Sequence, residues 1–160
     1  MQTQLAPTAP SPSSSSAADA APTLYQIPVA DLALVVPLVG ELMERVAERS
    51  DGRYSVGGML TRFAKGDWQL WIVWDGGAQG SVRAVIGTEL YHDISGLKCC
   101  TIRFATGRGA ARWTHLLADI EAWARSEDCV KLDMIARKGW AKHLPDYALT
   151  HVFLEKDLTQ

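Results

Sequence analysis

Nothing in this chain approaches a membrane-spanning helix. The longest apolar run, LALVVPLVG at 32–40, is broken by Pro37 and falls well short of the roughly 18–20 residues a bilayer requires. An excess of charge of either sign is missing too. Sixteen Lys and Arg stand against 18 Asp and Glu, a formal charge of −2, and the arginines are scattered among acids, so no basic field marks a nucleic-acid binder. Cysteine is scarce: only Cys99, Cys100 and Cys129 occur. Three is an odd number, and adjacent cysteines in a strand face opposite ways, so neither a disulfide framework nor a metal pair with the usual spacing is expected. The reading is of reduced, buried thiols in a cytosolic protein, with a catalytic thiol as the weaker alternative.

What is present suits one globular domain. Of the 160 residues, 48% are hydrophobic, enough for a proper core. Residues 1–23, MQTQLAPTAPSPSSSSAADAAPT, are nearly all Ala, Pro, Ser and Thr. They bury too little apolar surface to offset their ordering entropy and are expected to form a disordered tail or tether. The segment lacks the basic and apolar regions of a signal peptide.

From Leu24 the pattern becomes regular. TLYQIP reads as a short strand. Residues 29–49 read as helical, with Leu38, Leu42, Met43 and Val46 at helical spacing, Pro37 starting a fresh helix and Asp51-Gly52 closing it. Residues 55–65 suggest a second helix capped by Ser55. The period then changes to two: WQLWIVW at 68–74 is apolar on both faces, which implies an interior strand. A hairpin connection at 75–80 leads to a partner strand at 82–91, and 92–96 turns the chain into KCCTIRF at 98–104. A helix over 111–125 should bury Trp113, Leu116, Leu117, Ile120 and Trp123, leaving Arg112, His115, Asp119 and Arg125 outside. VKLDMIA at 130–136 reads as a strand parallel to the previous one, 139–144 as a short helix ended by Pro145, and HVFLEK at 151–156 as the final strand. The order β-α-α-β-β-β-α-β-α-β, with no internal repeat, predicts an α/β fold with a mixed sheet and helices on both faces.

The most informative stretch joins the strand at 98–104 to the helix after it: Ala105-Thr106-Gly107-Arg108-Gly109-Ala110-Ala111-Arg112-Trp113. A helix start leaves backbone N–H groups unpaired and carries partial positive charge, and glycines let that backbone approach an anion. Gly-x-Gly between strand and helix is more often just a tight turn. As a dinucleotide fingerprint it lacks the third glycine. Arg108 and Arg112 beside such a cradle suit a diphosphate carrying further phosphate, which points to coenzyme A rather than NAD.

The element order and the loop Thr106-Gly107-Arg108-Gly109-Ala110-Ala111 resemble the GNAT superfamily of acyl-CoA-dependent N-acyltransferases, from about Leu24 to Leu158. On this reading residues 24–160 form a GNAT-like domain. The family's loop reads Gln/Arg-x-x-Gly-x-Gly/Ala, so Thr106 departs from it at the first position. The C-terminal piece from IEAWARSEDC to VFLEKDL resembles GNAT-like proteins of bacteriophages and prophages. The resemblance implies acetyl-CoA in the splay between the strands at 98–104 and 130–136. Its pantetheine arm would lie near Ile102–Phe104 and its pyrophosphate on the amides of Gly107–Ala111. It also implies that an amine attacks the thioester, helped by a base, backbone N–H groups and an acid. Two departures concern that chemistry: the family's Asn falls on Arg137 and its acidic Tyr on Leu144, with Tyr147 and His143 nearby but elsewhere.

Glu89 is the candidate base, because its strand lies near the approach of an acceptor amine; a solvated carboxylate is the plain alternative. The candidate cofactor contacts are Ile102, Phe104, Gly107, Arg108, Gly109, Ala110, Ala111 and Arg112. His92 and His115 read as solvent-exposed. Trp68, Trp71, Trp113 and Trp123 read as packing, while Trp140 reads as lining either a cleft or an interface. The expected partners are acyl-CoA and an amine acceptor of unknown identity. The rival expectation is a non-catalytic virion or assembly protein that docks on virion proteins through its tail, in the host cytoplasm or in the particle. An antidefence or toxin-like acetyltransferase is a third. Neither nucleic acid nor a membrane is expected as a partner.

Overall fold

A computed structural model describes residues 21–158. The expected tail therefore lies, up to residue 20, outside the described residues, and Thr23 already belongs to the first strand. Five strands form one sheet in the order β1 (Thr23–Ile27), β2 (Trp68–Asp75), β3 (Ser81–His92), β4 (Lys98–Gly107), β5 (Lys131–Met134). The first three pairings are antiparallel and β4–β5 is parallel. This is the expected mixed α/β sheet. Among the described residues no helix is long and apolar enough to cross a membrane.

Both faces of the sheet are covered, which is why WQLWIVW carries apolar side chains on both sides. Helices α1 (Leu32–Glu48) and α2 (Val56–Ala64) cover one face, where Val39, Met43, Met59 and Phe63 meet Trp68, Leu70, Val85 and Phe104. On the other face α3 (Leu117–Ser126) brings Leu117 and Ile120 against Trp71, Ala84, Ile86, Ile102 and Trp113. Thr88, fully buried between them, accepts from the Trp71 indole N–H at 3.0 Å and donates to Gln69 at 3.1 Å, so its hydroxyl is satisfied.

Several local expectations need correction. Pro37 does not start a helix but lies inside a continuous α1; the packing of Val39, Leu42, Met43 and Val46 outweighs the single backbone bond it forfeits. Leu38, expected on the buried face, is 57% exposed. The stretch at 111–125 begins as two 3-10 turns, Ala110–Arg112 and Thr114–Leu116, before α3 starts at Leu117. Trp113 between them has φ −133° and ψ −12°, a non-helical pair that interrupts helical continuity. The short helix at 139–144 reduces to one 3-10 turn, Lys138–Trp140, followed by turns. Residues 151–156 form no strand and are exposed. Ser55 caps α2 as expected, its hydroxyl accepting from the Gly58 N–H at 3.1 Å.

Cys99 and Cys100 are buried and Cys129 half-buried, all three as free thiols. Burial pushes the Cys100 thiol from 9.0 up to about 12, helped by the neighbouring Cys129 and Asp133. The unfolded thiol ionises at the lower value, so the stabilisation from keeping it neutral is whole below about pH 9. It is lost as pH rises towards 12, at about 1.4 kcal/mol per pH unit. Urea unfolding of Cys100→Val should therefore show a shallower decline in stability between about pH 9 and 10.5 than the parent does. An identical slope would mean the thiol is not its source.

Candidate functional site at the β4–β5 splay

The pairing of β4 with β5 runs from Cys99–Lys131 to Ile102–Met134 and stops there. β4 continues through Arg103 to Gly107 with only β3 beside it, so past Ile102 the edge that faced β5 is left without a partner strand. The same point carries an irregularity. Gly87 pairs with Phe104 and Thr88 with Ile102, which leaves Arg103 as an extra residue in β4. The bulge turns Arg103 and Phe104 to the same face, where Phe104 packs on Trp68 and Phe63. Gly87 makes room for it, since a Cβ there would lie 2.4 Å from the Phe104 ring.

At the far end of β4 the chain turns. The Arg108 N–H donates to the Arg83 carbonyl at 3.1 Å, the Arg112 N–H to Gly109 at 2.9 Å and the Trp113 N–H to Ala110 at 3.1 Å. A turn whose first bond closes on the Gly109 carbonyl leaves the N–H groups of Gly109, Ala110 and Ala111 without an acceptor in the turn itself. Gly109 holds φ +61°, and a Cβ added there would meet only Arg83 at 3.6 Å and Arg112 at 3.9 Å. Three guanidinium-bearing residues thus surround this turn. Arg83, which the sequence reading passed over, is ion-paired to Asp75; Arg108 reaches Glu41 at 3.6 Å; Arg112 has no ion pair among the described residues. Ile102 and Phe104 are buried on opposite faces, so only their backbone is left at the unpaired edge.

Glu89 lies opposite Thr101, which pairs in turn with Asp133, so the three occupy one rung beside the last β4–β5 pair. That rung is roughly 20 Å along β4 from Gly107 at about 3.3 Å per residue. Glu89 is held in a close ion pair by Arg103, whose guanidinium stacks 5.6 Å from the Trp68 ring. On the same face the Tyr91 hydroxyl donates to Asp133 at 2.6 Å, and this bond, with burial, pushes the phenol well above its ordinary range. Tyr54, in the α1–α2 loop, donates to the Arg103 carbonyl at 3.2 Å and ties that loop to the bulge. Arg103, Tyr54, Tyr91 and Asp133 were not legible as a group, because only the strand register brings them together.

The remaining candidates scatter. His92 ends β3 in solvent, and His115 is exposed on the first turn before α3. Leu144 is buried against the α3 face, and Arg137 is exposed with its guanidinium 3.4 Å from the Arg49 carbonyl. Tyr147 donates to Glu121 at 3.0 Å, and burial together with that bond pushes its phenol up. It lines, with His115 and His143, a shallow groove of about 310 Å³. Trp140 packs edge-on against Trp113 at 5.8 Å. Among the described residues no group of His, Cys, Asp and Glu is arranged to hold a metal ion.

No family model matches the chain and no curated protein matches it in sequence. Solved structures do match it in shape. An aminoglycoside acetyltransferase from an uncultured soil metagenomic sample, 10% identical, aligns with a TM-score of 0.63 over 86% of this chain and 97% of its own. The ribosomal-protein-alanine N-acetyltransferase of Brucella melitensis biovar Abortus 2308, 13% identical, gives 0.57 over 86% and 99%. A GNAT family acetyltransferase of Staphylococcus aureus, 12% identical, gives 0.54 over 87% and 100%. At these identities the likeness is one of architecture: the chain has the fold of the GNAT acetyltransferases.

Proposed function

We propose that this protein binds an acyl-coenzyme A, acetyl-CoA in the first instance, along the β4–β5 splay and transfers the acyl group to an amine. The observation that carries this reading is the end of β4–β5 pairing at Ile102–Met134, with the open stretch of β4 leading straight to the Gly109–Ala111 amides. The residues fit the group: a glycine in a left-handed conformation whose added Cβ would touch only the Arg83 and Arg112 side chains, N–H donors in series, and arginines around them suit a pyrophosphate. The Arg108 N–H is already taken by Arg83, so the cradle reduces to Gly109, Ala110 and Ala111, with Arg108 and Arg112 supplying side-chain charge. Backbone of Ile102–Phe104 would hold the pantetheine arm.

When bound, acetyl-CoA supplies an activated thioester. The chain's part is to position it and to accept the proton that the attacking amine must lose. Glu89 has that role. Its carboxylate is occupied by Arg103 in the free protein, so a cationic amine would enter by displacing that guanidinium. No tyrosine stands at position 144 to protonate the leaving thiolate, and Leu144 is walled into the core there. That absence favours the second reading, a non-catalytic docking or assembly protein that keeps the fold.

Calorimetric titration of the full chain with acetyl-CoA separates the two. Micromolar binding is expected, weakened at least about tenfold by Gly109→Trp, which fills the cradle. Failure to bind at millimolar acetyl-CoA would remove the enzyme reading in favour of the docking one. Equal binding by the variant would move the pyrophosphate elsewhere.

A further inference from the structure

The strand register sets one residue from each of four strands in a single row across the α1–α2 face of the sheet. Trp68 on β2 pairs with Glu89 on β3, Glu89 with Thr101 on β4, and Thr101 with Asp133 on β5. Arg103 reaches into this row from the bulge. Its guanidinium lies 5.6 Å from the Trp68 ring and forms the close ion pair with Glu89, so it stands at the β2–β3 end, away from β5. Charge therefore follows an order along the row. The guanidinium over Trp68 comes first and the Glu89 carboxylate next. The exposed Asp133 follows two strands on, where the strands themselves stand about 10 Å apart.

The ion pair is not saturated. Nε and Nη2 of Arg103 converge on one oxygen of Glu89, Oε2, and among the described residues neither Glu89 Oε1 nor Arg103 Nη1 has a hydrogen-bond partner. The Arg103 side chain is 39% exposed and that of Glu89 21%, so a solute reaches both charges. Tyr54 donates to the Arg103 carbonyl and packs edge-on against Trp68 at 5.8 Å. It thereby fixes both the arginine's backbone and the ring beneath its guanidinium.

We propose, building on acyl transfer at the splay, that this row selects a free α-amino acid as the acceptor. Its carboxylate binds Arg103 over Trp68, while its ammonium group lies over Glu89 and Thr101, towards Asp133 and the unpaired edge of β4. Arg103 already neutralises Glu89, so a bare amine meets a balanced pair and the repulsion of the guanidinium. An amine with a carboxylate beside it exchanges that one internal pair for two of its own. The planar guanidinium suits a carboxylate, which it takes in two parallel hydrogen bonds. The same polarity turns the nitrogen towards the thioester. One proton of the ammonium group goes to water. The free amine then bonds to the acyl carbon as the carbon–sulfur bond breaks, its next proton passes to Glu89, and coenzyme A leaves as the thiolate. The product is an N-acyl amino acid.

Calorimetric titration of the full chain with each of the common amino acids, alone and with coenzyme A present, tests this. At least one is expected to bind below about 10 mM, with its amide and its decarboxylated amine at least about tenfold weaker. Arg103→Gln, its fold checked by circular dichroism, should bring the amino acid and its amide to within about threefold of each other, and Arg103→Lys should keep part of the preference. Glu89→Gln should weaken the amino acid and the amide alike. An ion pair with only a structural role predicts no change in the ratio of the two ligands. The proposal is overturned if no amino acid binds, if the amide or the amine binds equally well, or if Arg103→Gln leaves the preference intact. Failure here is distinct from failure of acyl transfer. A chain that binds acetyl-CoA but shows no preference for the carboxylate loses this acceptor alone, whereas one that shows the preference but binds no acetyl-CoA keeps the recognition row and loses the transfer.

Discussion

Gly107→Val should destabilise the fold by about 3 kcal/mol or more, whereas Gly109→Ala should cost about 1–2 kcal/mol. The two glycines flank a single arginine and look alike in the sequence, but they serve different needs. Gly107 ends β4 against β3, where an added Cβ would stand 2.4 Å from the Ala84 Cβ, 2.7 Å from the Arg83 carbonyl and 2.8 Å from the Ala84 Cα. Two of those three atoms are backbone, so nothing cheap can move. A Cβ on Gly109 would make only ordinary contacts with the Arg83 and Arg112 side chains, at 3.6 and 3.9 Å, so the substitution costs chiefly the left-handed φ of +61°. Urea denaturation of both variants checks the contrast. If Gly107→Val melts like the parent, the close approach of β3 and β4 has been misplaced. The contrast also matters for the proposed function: a large side chain at Gly109 is the substitution expected to block an anion there without dismantling the sheet.

The sheet and its order were legible because each interior strand carries its burial in its own residues. WQLWIVW is apolar at every position or nearly so, and the structure covers both of its faces. The short link between α3 and β5 leaves room only for a return parallel to β4 beside it, as observed. The C-terminal elements were less legible, because a strand is a property of a pair. HVFLEK has the local preference, but it pairs with no strand here, and Phe153 and Glu155 contact Arg53 instead. Pro37 misled for the converse reason: a local rule gave way to the packing of four apolar side chains on α1.

The candidate site divides in the same way. The turn proposed as a cradle stood out at residues 106–112 because its parts are contiguous. Glu89 could be named, but not its state, since Arg103 reaches it through a bulge that leaves no compositional trace. Arg83 joins the cradle from the neighbouring strand, and Tyr91 meets Asp133 from two strands away. Such groups are assembled by register, which one residue's slip would undo.

Trp113→Ala should cost about 3–5 kcal/mol and, more tellingly, should loosen residues 138–147 before it unfolds the sheet. Trp113 is 1% exposed, directly follows the 109–112 turn, and is the surface against which Trp140 packs at 5.8 Å. With no α-helix of its own, the stretch from Lys138 to Tyr147 is held to the α3 face by Trp140, Leu144 and Tyr147. Removing the indole opens a cavity under both the turn and that stretch. Hydrogen exchange should therefore rise at 138–147, and acetyl-CoA binding, where present, should fall with the loosened turn. Trp113→Phe is the informative control. The indole N–H is buried without a hydrogen-bond partner among the described residues, so phenylalanine loses volume but also removes an unsatisfied donor. The two terms oppose each other, and the variant should lie within about 1 kcal/mol of the parent. If alanine were tolerated equally well, the anchor would lie elsewhere; if phenylalanine were as damaging as alanine, the N–H would have a partner after all, most simply the face of the Trp140 ring.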